Sequence, residues 1–229
     1  MKKMLLSIIA ITMCNVLMAQ WNVGFTVGCS SNQYDYDTQW AYRLRYENRW
    51  GYTAEIPVSY SVNEWLKITS GIAYVEKGFF VENLTTLNDF LNPNHDSGNE
   101  IERRDCHLSV PVSAEFSFGN DRWRGFCCLG GYASYLMASY FEGYALSLSG
   151  SFEPFHEKRS FDSEVDNRFE LGVVGGAGAS YKFSEGWLCV ISAKYYYALT
   201  DQHKDYQRLR FPAYNRTLAF QIGLVYNIK

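Results

Sequence analysis

The stretch WNVGFTVGCSS, residues 21–31, places Trp21, Val23, Phe25, Val27 and Cys29 on one parity and Asn22, Gly24, Thr26, Gly28 and Ser30 on the other. Successive side chains of an extended strand point to opposite faces, so the segment carries one apolar face and one polar or small face. It follows an export-type leader: Met1, Lys2 and Lys3 are a basic start, residues 5–18 an apolar run, and Ala19 a small residue before Gln20. This predicts a cleavable signal over residues 1–19 and one mature domain over residues 20–229. The rival reading, a lipoprotein box at Ile11-Thr12-Met13-Cys14, puts Met13 where a small residue is expected. In an exported chain, alternation of this length is the signature of a transmembrane β-strand.

The alternation recurs seven more times. Expected strands cover residues 50–62, 65–80, 104–118, 123–137, 167–183, 187–197 and 215–228. The fourth is the cleanest: Cys106, Leu108, Val110, Val112, Ala114, Phe116 and Phe118 oppose His107, Ser109, Pro111, Ser113, Glu115 and Ser117. The fifth has no clear parity, and Lys194 puts the polar face of the seventh on even numbers. Connections after the second, fourth and sixth strands are two to four residues, whereas those after the first, third, fifth and seventh are roughly 17 to 29. Short turns on one side and long loops on the other, with an even strand count, are the pattern of an outer-membrane barrel. The expected fold is all-β: an eight-stranded antiparallel up-and-down transmembrane β-barrel with periplasmic termini, the fifth and sixth strands continuing into the third long loop.

Composition assigns the faces. The polar parity is rich in Gly, Ser, Thr and Ala with one or two charges per strand, which suits the crowded lumen of a small barrel. A water-facing sheet would carry more Lys and Glu, so the apolar parity is expected to meet lipid. The inward set then holds both signs: Glu55, Glu115 and Glu170 beside Lys67, Arg168, Lys182 and Lys194, with His107 and Gln221. An unpaired charge in such an interior costs several kcal/mol, so a structural network of salt bridges plugging the lumen is expected. Aromatics reach 17%, with 18 tyrosines, as interfacial girdles require.

Other chemistries find little footing. Removing Lys2 and Lys3 takes the formal charge from -3 to about -5, which points away from nucleic acid as a partner. Five cysteines remain after cleavage, Cys29, Cys106, Cys127, Cys128 and Cys189, widely spaced and with no C-x-x-C pair. They read as small apolar residues, neither a zinc set nor a complete disulfide framework. His107, Ser109 and Glu115 share one parity, but same-face neighbours on a strand stand ~7 Å apart, too far for a hydrogen-bonded relay without help from another strand. His95, His156 and His203 are scattered in loops, and neither Asp201-x-His203-x-Asp205 nor the acidic run 96–102 matches an established metal spacing. Asn83 and Asn215 sit in sequon-like triplets with little meaning in a bacterial outer-membrane chain. The run Gly175-Gly176-Ala177-Gly178 is followed by more strand where a phosphate loop needs a helix, and it reads as close packing. No catalytic residue, cofactor or metal is expected.

The stretches "GIAYVEKGF" at Gly71 to Phe79, "HLSVPVSAEFSF" at His107 to Phe118, "CLGGYASYL" at Cys128 to Leu136, "FELGVVGGAGASYKF" at Phe169 to Phe183 and the closing "QIGLVYNI" resemble, in this order, the PorT-like outer membrane protein β-barrel domain family of Gram-negative bacteria, within the OmpX/OmpA-like eight-stranded barrels. The resemblance covers essentially the whole mature chain. It departs at Cys106-His107, where an aromatic is usual, and at Lys229, where a terminal aromatic is often read during barrel insertion; Tyr226 is the nearest substitute. It implies an outer-membrane location, with outer-membrane lipid, lipopolysaccharide and the barrel-insertion machinery as partners. An extracellular or secretion-system protein is a further partner class. The expected role is non-enzymatic, in membrane structure or surface interaction through the outer loops. Two alternatives stand beside it: a barrel enzyme acting on lipid or peptide at the outer rim, and an exported soluble lipocalin-like ligand binder.

Overall fold

The computed structural model describes residues 21–36, 44–83, 100–146, 152–164, 166–204 and 213–228. The expected signal, His95, the acidic run before Glu100, and Asp205 lie outside them. The described strands are β1 (Trp21–Tyr36), β2 (Leu44–Ser61), β3 (Leu66–Asn83), β4 (Glu100–Gly119), β5 (Trp123–Leu146), β6 (Phe152–Lys158), β7 (Phe169–Ser184), β8 (Trp187–Ala198) and β9 (Ala213–Ile228). Every pairing is antiparallel; β1 pairs with both β2 and β9, while β4 pairs with both β3 and β5. The ladder therefore closes through β1, β2, β3, β4, β5, β7, β8 and β9, with β6 outside the circuit. Closure leaves no wall strand with an open edge, which is what a sheet in hydrocarbon must achieve.

The alternation has the direction its composition implied. On β1, Asn22, Thr26 and Ser30 are buried while Trp21, Val23, Phe25 and Val27 are exposed; on β4, His107 and Ser109 are buried while Leu108, Val110 and Val112 are exposed. At the end that carries the short turns, alternate strand pairs, four of the eight around the wall, each contribute one aromatic contact to a belt. Trp21 meets Tyr60 at 5.0 Å, Trp65 meets Phe116 at 6.0 Å, Trp123 meets Tyr181 at 4.5 Å and Trp187 meets Tyr226 at 5.0 Å between ring centroids. Amphipathic rings at one height mark a membrane interface.

The ambiguous parity of the fifth strand has a structural cause. Leu136 pairs with His107 and Ala138 with Cys106, so Met137 is an extra residue in β5. A bulge of this kind exchanges the two faces beyond it: Tyr132, Ser134 and Leu136 are buried below it, and Ser139 above it. The glycine run of β7 also has a steric cause. A Cβ at Gly178 would come within 2.4 Å of the Phe126 ring, and one at Gly172 within 2.5 Å of the Tyr132 ring. Those glycines leave room for aromatics that β5 sends into the lumen.

Several strands run well beyond their expected ends. β5 has 24 residues, whereas ~9–11 span a bilayer. Its lower part pairs with β7 and its upper part, from Tyr140 to Leu146, with β6. β4 accompanies β5 as far as Gly143, so the hairpin β5–β6 prolongs the β4 side of the wall on the long-loop side. Sequence alone suggests a loop where β6 lies, because FEPFHEK contains a proline and no sustained alternation.

Candidate functional site

Two functional regions emerge from this frame: the lumen, where the charged residues converge, and the protruding hairpin. In the half of the lumen nearer the long loops, Lys77 of β3 forms a salt bridge across the barrel to Glu170 Oε1 of β7. The Tyr132 hydroxyl donates to the same oxygen at 2.8 Å, and Asn215 Nδ2 donates to Oε2 at 2.7 Å. Lys77 Nζ lies 5.1 Å from the centre of the Tyr132 ring, which in turn meets Tyr196 edge-on at 5.2 Å. Tyr132, Tyr196, Val174 and Ala219 make a buried apolar cluster. Four strands therefore close on one carboxylate, and the layer is solid: the Lys77 and Glu170 side chains are only 1% and 5% exposed.

Lys77 is absent from the inward set expected from sequence although the signal is present, since it shares the odd parity that puts Lys67 inward. His107 belongs to the same half, its Nδ1 3.2 Å from Ser134 Oγ, which is 2.7 Å from Ser109 Oγ. All three residues are buried. Glu115 stands elsewhere, so the His107, Ser109 and Glu115 set does not assemble.

Nearer the turns, Lys67 Nζ reaches Glu115 Oε1 at 3.1 Å on the adjacent strand, and Lys194 Nζ crosses from β8 to Glu55 Oε2 of β2 at 2.7 Å. Here Thr, Ser and Gln side chains mix with Pro57, Phe126 and Leu188 around a cavity of about 70 Å³ that touches Thr26, Lys194 and Gln221. Below it the mouth widens into a vestibule of about 610 Å³ lined in part by Lys67, Arg124 and Lys182. Lys182 is exposed there, apart from the paired charges.

Arg168 is not in the lumen network. It precedes β7, so it does not inherit that strand's parity. Its Nε donates to the Leu136 carbonyl at 2.9 Å and its terminal nitrogen to the Met137 carbonyl at 3.3 Å, where the β5 bulge interrupts the ladder. Its guanidinium covers Tyr135 at 4.6 Å and Phe161 at 4.3 Å.

On the long-loop side, the connections before β7 and after β8 meet. Arg159 is paired with Asp166 at 2.5 Å, the Asp166 backbone forms an isolated antiparallel bridge with that of His203, and Asn167 Nδ2 donates to the Asp201 carbonyl at 2.8 Å. Asp201 Oδ1 accepts from the backbone amides of His203 and Ala213, so this carboxylate shapes the turn. Among the described residues no group of His, Cys, Asp and Glu is arranged to hold a metal.

The hairpin is pinned from outside. His156 Nδ1 of β6 lies 3.0 Å from Glu142 Oε1 of β5, and Arg104 of β4 reaches the same carboxylate at 3.2 Å. Tyr140 stacks on His156 at 5.6 Å and carries the Arg104 guanidinium at 5.1 Å. Among the described residues β6 pairs only with β5, which leaves one edge open.

A family model described as outer membrane protein beta-barrel domain matches residues 17–204. No curated protein matches the chain in sequence. Among solved structures, the outer membrane protease OmpT from Escherichia coli superposes with a TM-score of 0.51 at 9% identity, over 91% of this chain and 97% of that one. The outer membrane protein OprG from Pseudomonas aeruginosa gives 0.50 at 11% identity, over 92% and 95%. A major outer membrane protein from Thermus thermophilus gives 0.50 at 11% identity, over 92% and 99%. At such identities the likeness is one of fold.

Proposed function

The chain belongs to the outer membrane protein β-barrel domain family and lies in the outer membrane, and from that premise we propose that it is a non-enzymatic, non-conducting barrel that makes surface contacts through its long-loop side. In this reading the turns and both strand ends at Trp21 and Ile228 face the periplasm, and the hairpin β5–β6 faces outward. Lipid and lipopolysaccharide surround the apolar band, and the insertion machinery reads the last strand through Tyr226. The PorT-like assignment within the family rests on the stretches quoted above; Lys77 of "GIAYVEKGF" is the lysine that meets Glu170. An outer-membrane location removes the soluble lipocalin-like alternative.

The observation that carries the proposal is the hairpin. A strand edge with free backbone groups can add an extended segment of another protein, hydrogen bonds supplying affinity and side chains specificity. Pro154 has no N–H to offer, and Glu153, Glu157 and Lys158 are exposed on β6, features that restrain indiscriminate pairing at an edge. The partner class is an extracellular or secretion-system protein. The enzymatic alternative has weaker support, because Ser109, Ser134 and His107 lie inside the closed half, whereas a nucleophile and its base need a substrate within reach.

The test removes residues 144–154 and rejoins β5 to β6 through a tight turn. The shortened barrel is expected to keep its heat-dependent mobility on SDS gels while cells displaying it lose adhesion to surfaces that bind the intact protein. Adhesion equal to that of the intact protein defeats the proposal. Sustained conductance of the intact barrel in planar bilayers defeats its non-conducting part.

A further inference from the structure

The turn-side vestibule of about 610 Å³ has Lys67, Arg122, Arg124 and Lys182 in its lining against Glu64 and Asp121. The other lumen lysines are matched: Lys67 holds Glu115, Lys77 holds Glu170 and Lys194 holds Glu55. Lys182 has no carboxylate within salt-bridge reach among the described residues, and the carboxylate nearest Arg124 is that of Asp121, 3.8 Å away and fully exposed. Arg124 also donates to the Glu64 carbonyl at 3.2 Å, a contact that adds no opposing charge to the exposed Asp121.

Arg124 pairs in register with Ser180, and Lys182 is the next residue of that parity toward the mouth. Two cations thus stand diagonally on neighbouring strands of one face. Like charges so placed repel, and an anion between them turns that repulsion into two charge-assisted contacts. The polar side chains of Asn22, Ser61 and Ser180 line the same space.

We propose that the vestibule binds a small anionic group of phosphate type, entering from the turn side and bridging Lys182 and Arg124. The group is carried either by a soluble molecule or by a lipid headgroup of the adjoining leaflet. The site is independent of the hairpin, so each can fail alone.

The test titrates inorganic pyrophosphate into the full barrel folded in zwitterionic micelles, with backbone amide shifts as the readout. Saturable shifts are expected at Arg124, Ser180 and Lys182, weakening as salt rises. The double substitution Arg124→Gln with Lys182→Gln is expected to weaken binding by at least about tenfold, and Lys204→Gln, exposed at the opposite end, to leave it unchanged. A parallel arm replaces pyrophosphate with a small fraction of phosphatidylglycerol in the micelle. Response to pyrophosphate assigns a soluble source, and response only to the lipid assigns a headgroup. Absence of saturation with both probes, or equal binding by the double variant, overturns the proposal. Heat-dependent mobility verifies folding of each variant; should the double variant not fold, Lys182→Gln alone decides, with about a threefold loss expected and an unchanged affinity overturning the site.

Discussion

Both halves of the lumen hold ion pairs between strands, yet the loop-side half is solid and the turn-side half is open. In the loop-side half, Glu170 is engaged by Lys77, Tyr132 and Asn215, and aromatic rings fill the space around it. In the turn-side half, the Lys67 and Glu115 side chains keep 17% and 15% of their exposure, and small residues leave cavities between them and the mouth. A salt bridge therefore does not by itself seal a barrel. The seal comes from Tyr132, which fits the gap at Gly172 of β7, with Tyr196 packed against it, and the ion pair neutralises the charge caught beside them.

The contrast can be broken most decisively by opening the solid half. Tyr132→Ala combined with Tyr196→Ala should give resolvable openings in planar bilayers, where the intact barrel is proposed to give none. Lys67→Ala with Glu115→Ala should leave it closed, because the obstruction lies above that pair. Equal conductance from both variants would show that the seal is not where the rings are.

Stability sharpens the same contrast. Glu170→Ala strands a buried lysine and orphans the Tyr132 hydroxyl and the Asn215 amide, for an expected loss of about 3–5 kcal/mol in urea unfolding followed by tryptophan fluorescence. Lys67→Met acts on a partly hydrated pair of adjacent strands and should cost about 1 kcal/mol or less by the same measurement. Similar losses at the two sites would mean that the halves are equally dry.

Much of this was legible along the chain. Parity placed Glu55, Lys67, His107, Glu115, Glu170 and Lys194 inside, because period two is a local property of an extended backbone. The expectation failed where that locality fails. Arg168 sits one residue before its strand and answers to the carbonyls of a bulge; β5 changes faces at Met137, so no single parity describes it. β6 carries a proline and mixed charges, and its strand character comes from pairing with β5.

Sequence by itself determined the alternation, the number of wall strands, the sorting of short turns from long loops, and the face that meets lipid. All follow from residue spacing and composition. Tertiary structure alone decided which lysine meets which carboxylate, since Lys77 finds Glu170 and Lys194 finds Glu55 across the lumen. Those partners are set by strand tilt and stagger around a closed barrel, quantities that no single strand contains. The same closure decided that one half would be filled and the other left open.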